Sequence, residues 1–146
     1  MVSCAFFGHR SFNYSPYREK LNNIITDLIE NHGVTQFYNG FRGEFDCLCA
    51  TIVSELKYQY PNIRNIMVLS YYPSVSFTIP KYFDDCVYLL EKSVPPKSAI
   101  PRTNEKIVER ADYIISGVKN QNGGAWTACQ YAIRCHKLIF NIFNLQ

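Results

Sequence analysis

Long hydrophobic runs are missing from this chain; none approaches the roughly 20 apolar residues that a membrane helix requires. Also missing are the extended apolar core and cleavage pattern of a secretory signal, so a cytoplasmic protein with no membrane partner is expected. Charge of one sign is nowhere concentrated. The 15 Lys and Arg against 12 Asp and Glu leave a net charge of +3, and the basic residues are scattered, which argues against nucleic acid as a partner. A small anion satisfies that charge equally well.

Six cysteines are present, but the paired CxxC spacing of a zinc site is not. Cys47 and Cys49 stand two apart on a predicted helix and so face different ways. No metal is expected, and without a secretory signal the thiols are expected to be free and mostly buried. The dinucleotide fingerprint is absent too. Only Gly8 follows the first predicted strand, and the second ends in Tyr38-Asn39 rather than an acid, so neither a nicotinamide-dependent dehydrogenase nor a cofactor is expected. Repeats and low-complexity tracts are also lacking.

What remains is a globular composition. With 146 residues and 47% hydrophobic content the chain suits one domain with a sizeable core. Val2 to Phe7 reads as a buried strand ended by Gly8. Ser15-Pro16 offers an N-cap and a first-turn proline for a helix whose apolar residues, from Tyr17 to Ile29, fall at helical spacing before Gly33 closes it. Val34 to Asn39 reads as a second strand. A helix with Phe45, Cys49, Ile52 and Val53 on one face follows, and Ile63 to Tyr72 is a third strand.

Between Pro73 and Pro101 lie five of the seven prolines, periodicity is lost, and only Cys86 to Leu90 suits a short strand. This segment reads as an insertion. A helix then runs from near Pro101 to about Ala111, followed by a strand Tyr113 to Val118, a helix through Cys135 and a last strand Leu138 to Phe143. Such alternation predicts an α/β fold with right-handed crossovers, a mainly parallel sheet and helices on both faces.

Ligands in such folds bind beyond the carboxyl ends of the strands. That rule gathers Gly8-His9-Arg10, the turn Gly40-Phe41-Arg42-Gly43 and the turn Asn122-Gly123-Gly124 on one rim. The helix entered at Pro101 begins there too, bringing Arg102 and Asn104, while Asp112 falls at the opposite end. Both glycine turns precede helices, whose starts favour anions. Arg10, Arg42 and Arg102 are candidate phosphate ligands. Asp46, in a first helical turn, is a candidate for capping or for a ribose; Thr127 for a phosphate contact or a cap. His9 is an acid–base group or a backbone clamp. Trp126 and Tyr71 are candidates for stacking on a base or for packing, and Asp84-Asp85 for a ligand hydroxyl, a metal or plain solvation.

Taken together, Gly8-His9-Arg10, Gly40 to Asp46, Arg102-Thr103-Asn104, Ala111-Asp112 and Gly123-Gly124 with Thr127 resemble the SLOG superfamily. This Rossmann-like group joins Smf/DprA proteins to the Lonely Guy enzymes, and the similarity is closest to its YpsA-like branch. The resemblance implies a single three-layer domain spanning residues 1–146, a sheet of order roughly 3-2-1-4-5, and a site for nucleotides or related phosphorylated ligands, often as a sensing module. Homodimers are common in such proteins. In the Lonely Guy phosphoribohydrolases a glutamate stands three residues after the motif threonine; here Gln130 takes that position. A glutamine cannot serve as a general base, so the resemblance implies binding of a nucleotide-like molecule without a catalytic residue. An N-glycosidase drawing its acid from Asp46, Asp84 or Asp85 and a single-strand nucleic-acid module stand as alternatives.

Overall fold

The computed structural model describes residues 1–144. Six strands form one parallel sheet: β1 (Val2–Gly8), β2 (Val34–Asn39), β3 (Arg64–Leu69), β4 (Asp85–Tyr88), β5 (Tyr113–Gly117) and β6 (Leu138–Asn141), in the order β4-β3-β2-β1-β5-β6. Four helices connect them: α1 (Arg18–His32), α2 (Glu44–Leu56), α3 (Ala99–Arg110) and α4 (Gly123–Arg134). The fold class is the expected one. The order differs by one edge strand, because Asp85–Tyr88 pairs with β3 and the proline-rich segment becomes a crossover that returns to the sheet.

β1 is buried along its centre because both its faces are covered. On one face Phe6, Phe37 and Ile115 pack against Leu21, Ile25 and Leu28 of α1 and Cys49, Ile52 and Val53 of α2. On the other, Ala5, Phe7 and Ile114 pack against Ile107 and Val108 of α3 and Ala128, Cys129 and Ala132 of α4. The chain is therefore three layers deep. Among the described residues no helix is long and apolar enough to cross a membrane.

Local details depart from the sequence pattern at element ends. Ser15 and Pro16 form a single 3-10 turn, Ser15–Tyr17, whose first amide bonds Asn13 Oδ1 at 3.1 Å; Ser15 does not cap α1, which starts after Tyr17 without a side-chain cap. Gly33 does close α1, in the left-handed conformation at φ 70°. α3 begins at Ala99, two residues before Pro101, so that proline lies in its first turn, where no amide is needed. The six cysteines are free thiols, of which Cys47 is exposed and Cys86 and Cys135 half-buried.

The strand order reverses at β1: β2, β3 and β4 lie to one side, β5 and β6 to the other. A crevice opens beyond such a switch point because neighbouring connections leave on opposite faces. α2 leaves β2 on one face and α4 leaves β5 on the other.

Candidate functional site

The turn after β2 is built by side chains that close it from within. Asn39 is fully buried; its Oδ1 accepts the Phe41 amide at 2.7 Å and its Nδ2 donates to the Asp46 carbonyl at 2.9 Å. Phe41 is thereby held at φ 55°, a conformation few residues other than glycine adopt. Asp46 Oδ2 accepts the Arg42 amide at 3.0 Å, and the Arg10 carbonyl accepts the Glu44 amide at 2.9 Å. A Cβ on Gly43 would lie 2.4 Å from Arg10 Cα, so this glycine makes room for protein backbone. The start of α2 carries two acids, Glu44 and Asp46, in its first turn, and its positive end is compensated from inside the chain. The expectation of two positive helix ends in one crevice is thus halved.

The turn after β5 is open. Gly123 stands at φ 91°, where a side chain is strained, and Cβ atoms on Gly123 or Gly124 would meet nothing within 4 Å. Asn122 precedes the helix in extended conformation and makes no side-chain cap. Among the described residues no acceptor outside the helix meets the amides of Gly123, Gly124 or Ala125.

Between the two turns lies a cleft of about 360 Å³. Of the residues predicted for the site, the structure places Gly8, His9, Arg10, Gly40, Arg42, Asp46, Asn104, Gly123 and Gly124 along it. The Arg42 guanidinium crosses the cleft, donating to Ser70 Oγ at 3.0 Å and to Asn104 Oδ1 at 2.5 Å. Both contacts are neutral, so its charge is not consumed by a salt bridge. Asp46 is the only carboxylate lining the cleft, and its second oxygen has no hydrogen-bond partner among the described residues. Burial raises the Asp46 pKa to about 6, against the opposing pull of the Arg42 amide and of the Arg42 and Arg10 charges.

His9 is a clamp. Its Nε2 accepts the Lys119 amide at 2.9 Å and the Asn120 amide at 3.2 Å, tying the end of β1 to the loop that leads into α4. Two donors on one ring nitrogen require that nitrogen to be unprotonated, and partial burial pushes the His9 pKa down. Tyr14 clasps the same rim: its hydroxyl accepts the His9 amide at 2.9 Å and donates to the Gly117 carbonyl at 2.6 Å. Burial pushes the tyrosine up to about 12, so this proton stays in place. Gly8 and Gly117 are kept free of side chains by Phe45, which lies 2.2 and 2.6 Å from the Cβ each would carry.

Three predicted residues lie outside the cleft. Arg102 points along α3, where Nη1 pairs with Glu105 at 2.7 Å, because positions 102 and 104 face different sides of a helix. The Thr127 hydroxyl bonds the Gly123 carbonyl at 3.0 Å within its own helix, and Gly43 packs under Arg10. Gln130 and Trp126 face away from the cleft, into a hollow on the other side of α4; the glutamine therefore says nothing about chemistry in the cleft. Asp84 and Asp85 sit at the amino ends of β3 and β4, bonded to the Asn65 amide and Lys57 and to Arg64, across the sheet from the rim. They cannot supply an acid to the cleft. Tyr71 is largely exposed, its hydroxyl 3.4 Å from the Pro96 carbonyl.

Sequence reasoning missed Tyr14, Ser70, Ile100 and the full role of Asn39. Ile100 was recoverable, being four residues before Asn104 on the same helical face. Tyr14 and Ser70 carried no periodic or motif signal.

No family model matches the chain, and no curated protein matches it in sequence. Solved structures do match in fold. DNA processing protein A from Streptococcus pneumoniae superposes with a TM-score of 0.69 at 15% identity, over 96% of this chain and 50% of that one. DNA processing protein A from Helicobacter pylori, described for its single-stranded DNA binding mode, gives 0.68 at 16% identity, over 96% of this chain and 64% of that one. The molybdenum cofactor carrier protein from Chlamydomonas reinhardtii gives 0.61 at 10% identity, over 95% and 75%. This chain spans about half the length of the first of these. It shares with them a Rossmann-like α/β fold.

Proposed function

We propose that the cleft binds a small phosphorylated, nucleotide-like molecule and performs no chemistry on it. The observation that carries this reading is the α4 start: unmatched amides of Gly123, Gly124 and Ala125, with open space over Gly124, line one cleft with the Arg42 guanidinium. A phosphate at that start meets oriented N–H donors and the positive end of the helix, with Arg10 and Arg42 adding charge. Asp46 and Asn104 are the groups for ligand hydroxyls. The DNA-binding and cofactor-carrying descriptions of the fold neighbours are consistent with a binding module. Nucleic acid is not the partner proposed, because scattered charge provides no track for a phosphate backbone. Thermal unfolding with AMP, ADP-ribose and cyclic AMP tests the reading. A true ligand at 100 times its Kd adds about 2.7 kcal/mol. Silence across that set from a folded protein overturns it.

A second reading, an N-glycosidase on a nucleoside monophosphate, is favoured by Asp46 alone. A buried carboxyl group with a pKa of about 6 suits a general acid near neutrality. Free adenine released from AMP, and lost in Asp46→Asn, would establish it. Intact AMP at high protein concentration removes it.

A further inference from the structure

The cleft does not end at the start of α4. Beyond Ile100, Asn104 and Gly124, which line both spaces, it continues into a recess of about 140 Å³ between α3 and α4. Pro101 of α3 and Ala128 and Tyr131 of α4 supply the further walls. Residues 124, 128 and 131 fall on one face of α4, and 100 and 104 on one face of α3, so the recess is the seam along which the two helices meet.

That seam presents carbon, because the polar groups beside it are already engaged. Thr127 donates its hydroxyl to the Gly123 carbonyl at 3.0 Å, Tyr131 donates to Glu109 Oε2 at 2.5 Å, and Glu105 Oε1 accepts from Arg102 at 2.7 Å. The Arg134 guanidinium lies over the Tyr131 ring, 5.5 Å from its centroid. One polar group is left over. Asn104 is 6% exposed; its Oδ1 accepts from Arg42, and its Nδ2 makes no hydrogen bond among the described residues. A donor on so buried a side chain is costly to leave unmatched, which marks Asn104 as a group awaiting an acceptor.

Size and spacing narrow what enters. An apolar cavity of about 150 Å³ takes benzene, so a recess of this volume takes one six-membered ring, a whole pyrimidine or that half of a purine. Ala128 lies four residues, about 6 Å along the helix, beyond the Gly124 that borders the cleft, a span that a ribose bridges. Resting on the reading that a phosphate occupies the α4 start, we infer that the recess is the base subsite of the same ligand. The nucleobase enters between α3 and α4, an acceptor on its edge meets Asn104 Nδ2, and the ligand is a nucleoside 5′-monophosphate rather than a bare sugar phosphate. A sugar alone would leave the carbon walls to water.

Calorimetric titration of the protein with AMP, CMP and ribose 5-phosphate tests the assignment. Both nucleotides are expected to bind at least about tenfold more tightly than ribose 5-phosphate, in line with the burial of one ring. Thr127→Phe, at an exposed position of α4 bordering the recess, fills it. This variant is expected to bring both nucleotides down to the affinity of ribose 5-phosphate and to leave that ligand's affinity unchanged. Pro101→Phe fills the recess from the facing helix and repeats the test where the first variant unsettles α4. Equal affinity for the nucleotides and the bare sugar phosphate overturns the base subsite and leaves the phosphate site standing. A nucleotide preference that survives both substitutions also overturns it, since the ring then lies elsewhere, as does a loss in both variants that falls equally on ribose 5-phosphate. Silence from all three ligands overturns the phosphate reading and the subsite together.

Discussion

Two glycine-bearing turns flank the cleft, and they do opposite things. Gly40 to Gly43 leads into a helix whose first turn holds its own carboxylates, and its glycine at 43 is pressed against Arg10. Asn122 to Gly124 leads into a helix with no acid in its first turn, and nothing of the protein approaches its glycines. The first turn presents a guanidinium and a carboxylate held in place by Asn39, Ser70 and Asn104; the second presents bare amides. A helix start is an anion site only where the chain has not already answered it.

Substitutions that exchange the two turns' properties test this contrast most severely. Gly43→Ala puts a methyl group 2.4 Å from Arg10 Cα, a backbone atom that cannot swing aside. A loss of about 3 kcal/mol is expected in urea unfolding, from overpacking at a fixed contact. A neutral result would mean the close approach is not real.

Asp46 gives the next largest effect, and it depends on pH. Its carboxyl rises from an ordinary 3.8 to about 6 on folding. The stability linked to that rise is fully present below pH 3.8 and is lost as pH passes through 6, by about 3 kcal/mol in all. Asp46→Asn is therefore expected to exceed the native protein in stability at pH 8 by up to that amount, with the gain vanishing below pH 4. An equal difference at both pH values would show that the carboxylate is not desolvated.

His9 runs the other way. A histidine pKa lowered on folding contributes stability above 6.5 that is lost as pH falls through the lowered value. Protonation removes the acceptor for the Lys119 and Asn120 amides, so both amide resonances are expected to titrate together below pH 6.5 in NMR spectra. Independent behaviour would dissolve the clamp. The smallest stability change belongs to Gly124→Ala: a gain of up to about 1 kcal/mol, from replacing a helical glycine where there is room. The same change is expected to weaken AMP binding at least about tenfold by shielding the amides. Unchanged affinity would move the phosphate elsewhere.

The alternation of strands and helices was legible in the sequence because β1 and β5 are buried runs ended by glycine, β2 lies between Gly33 and Gly40, and α1, α2 and α4 carry apolar residues at helical spacing. From that alternation the rim followed, and with it nine of the twelve candidate residues now found along the cleft. Arg102 and Thr127 were placed on the right elements but the wrong sides, since element ends shift by a residue or two and each residue along a helix turns the side chain by about 100°. The edge strand, read as Cys86 to Leu90, forms at Asp85–Tyr88, but its place beside β3 carried no signal because a half-exposed strand lacks a buried run.

By itself, the sequence determined which segments become strands and helices and which of their ends share a rim, because those follow from local periodicity and from the handedness of the crossovers. Only the tertiary structure decided which helix start is open. That depends on Asn39, Asp46 and the Arg10 backbone converging on one turn and on nothing converging on the other, and such contacts are made between residues far apart in the chain.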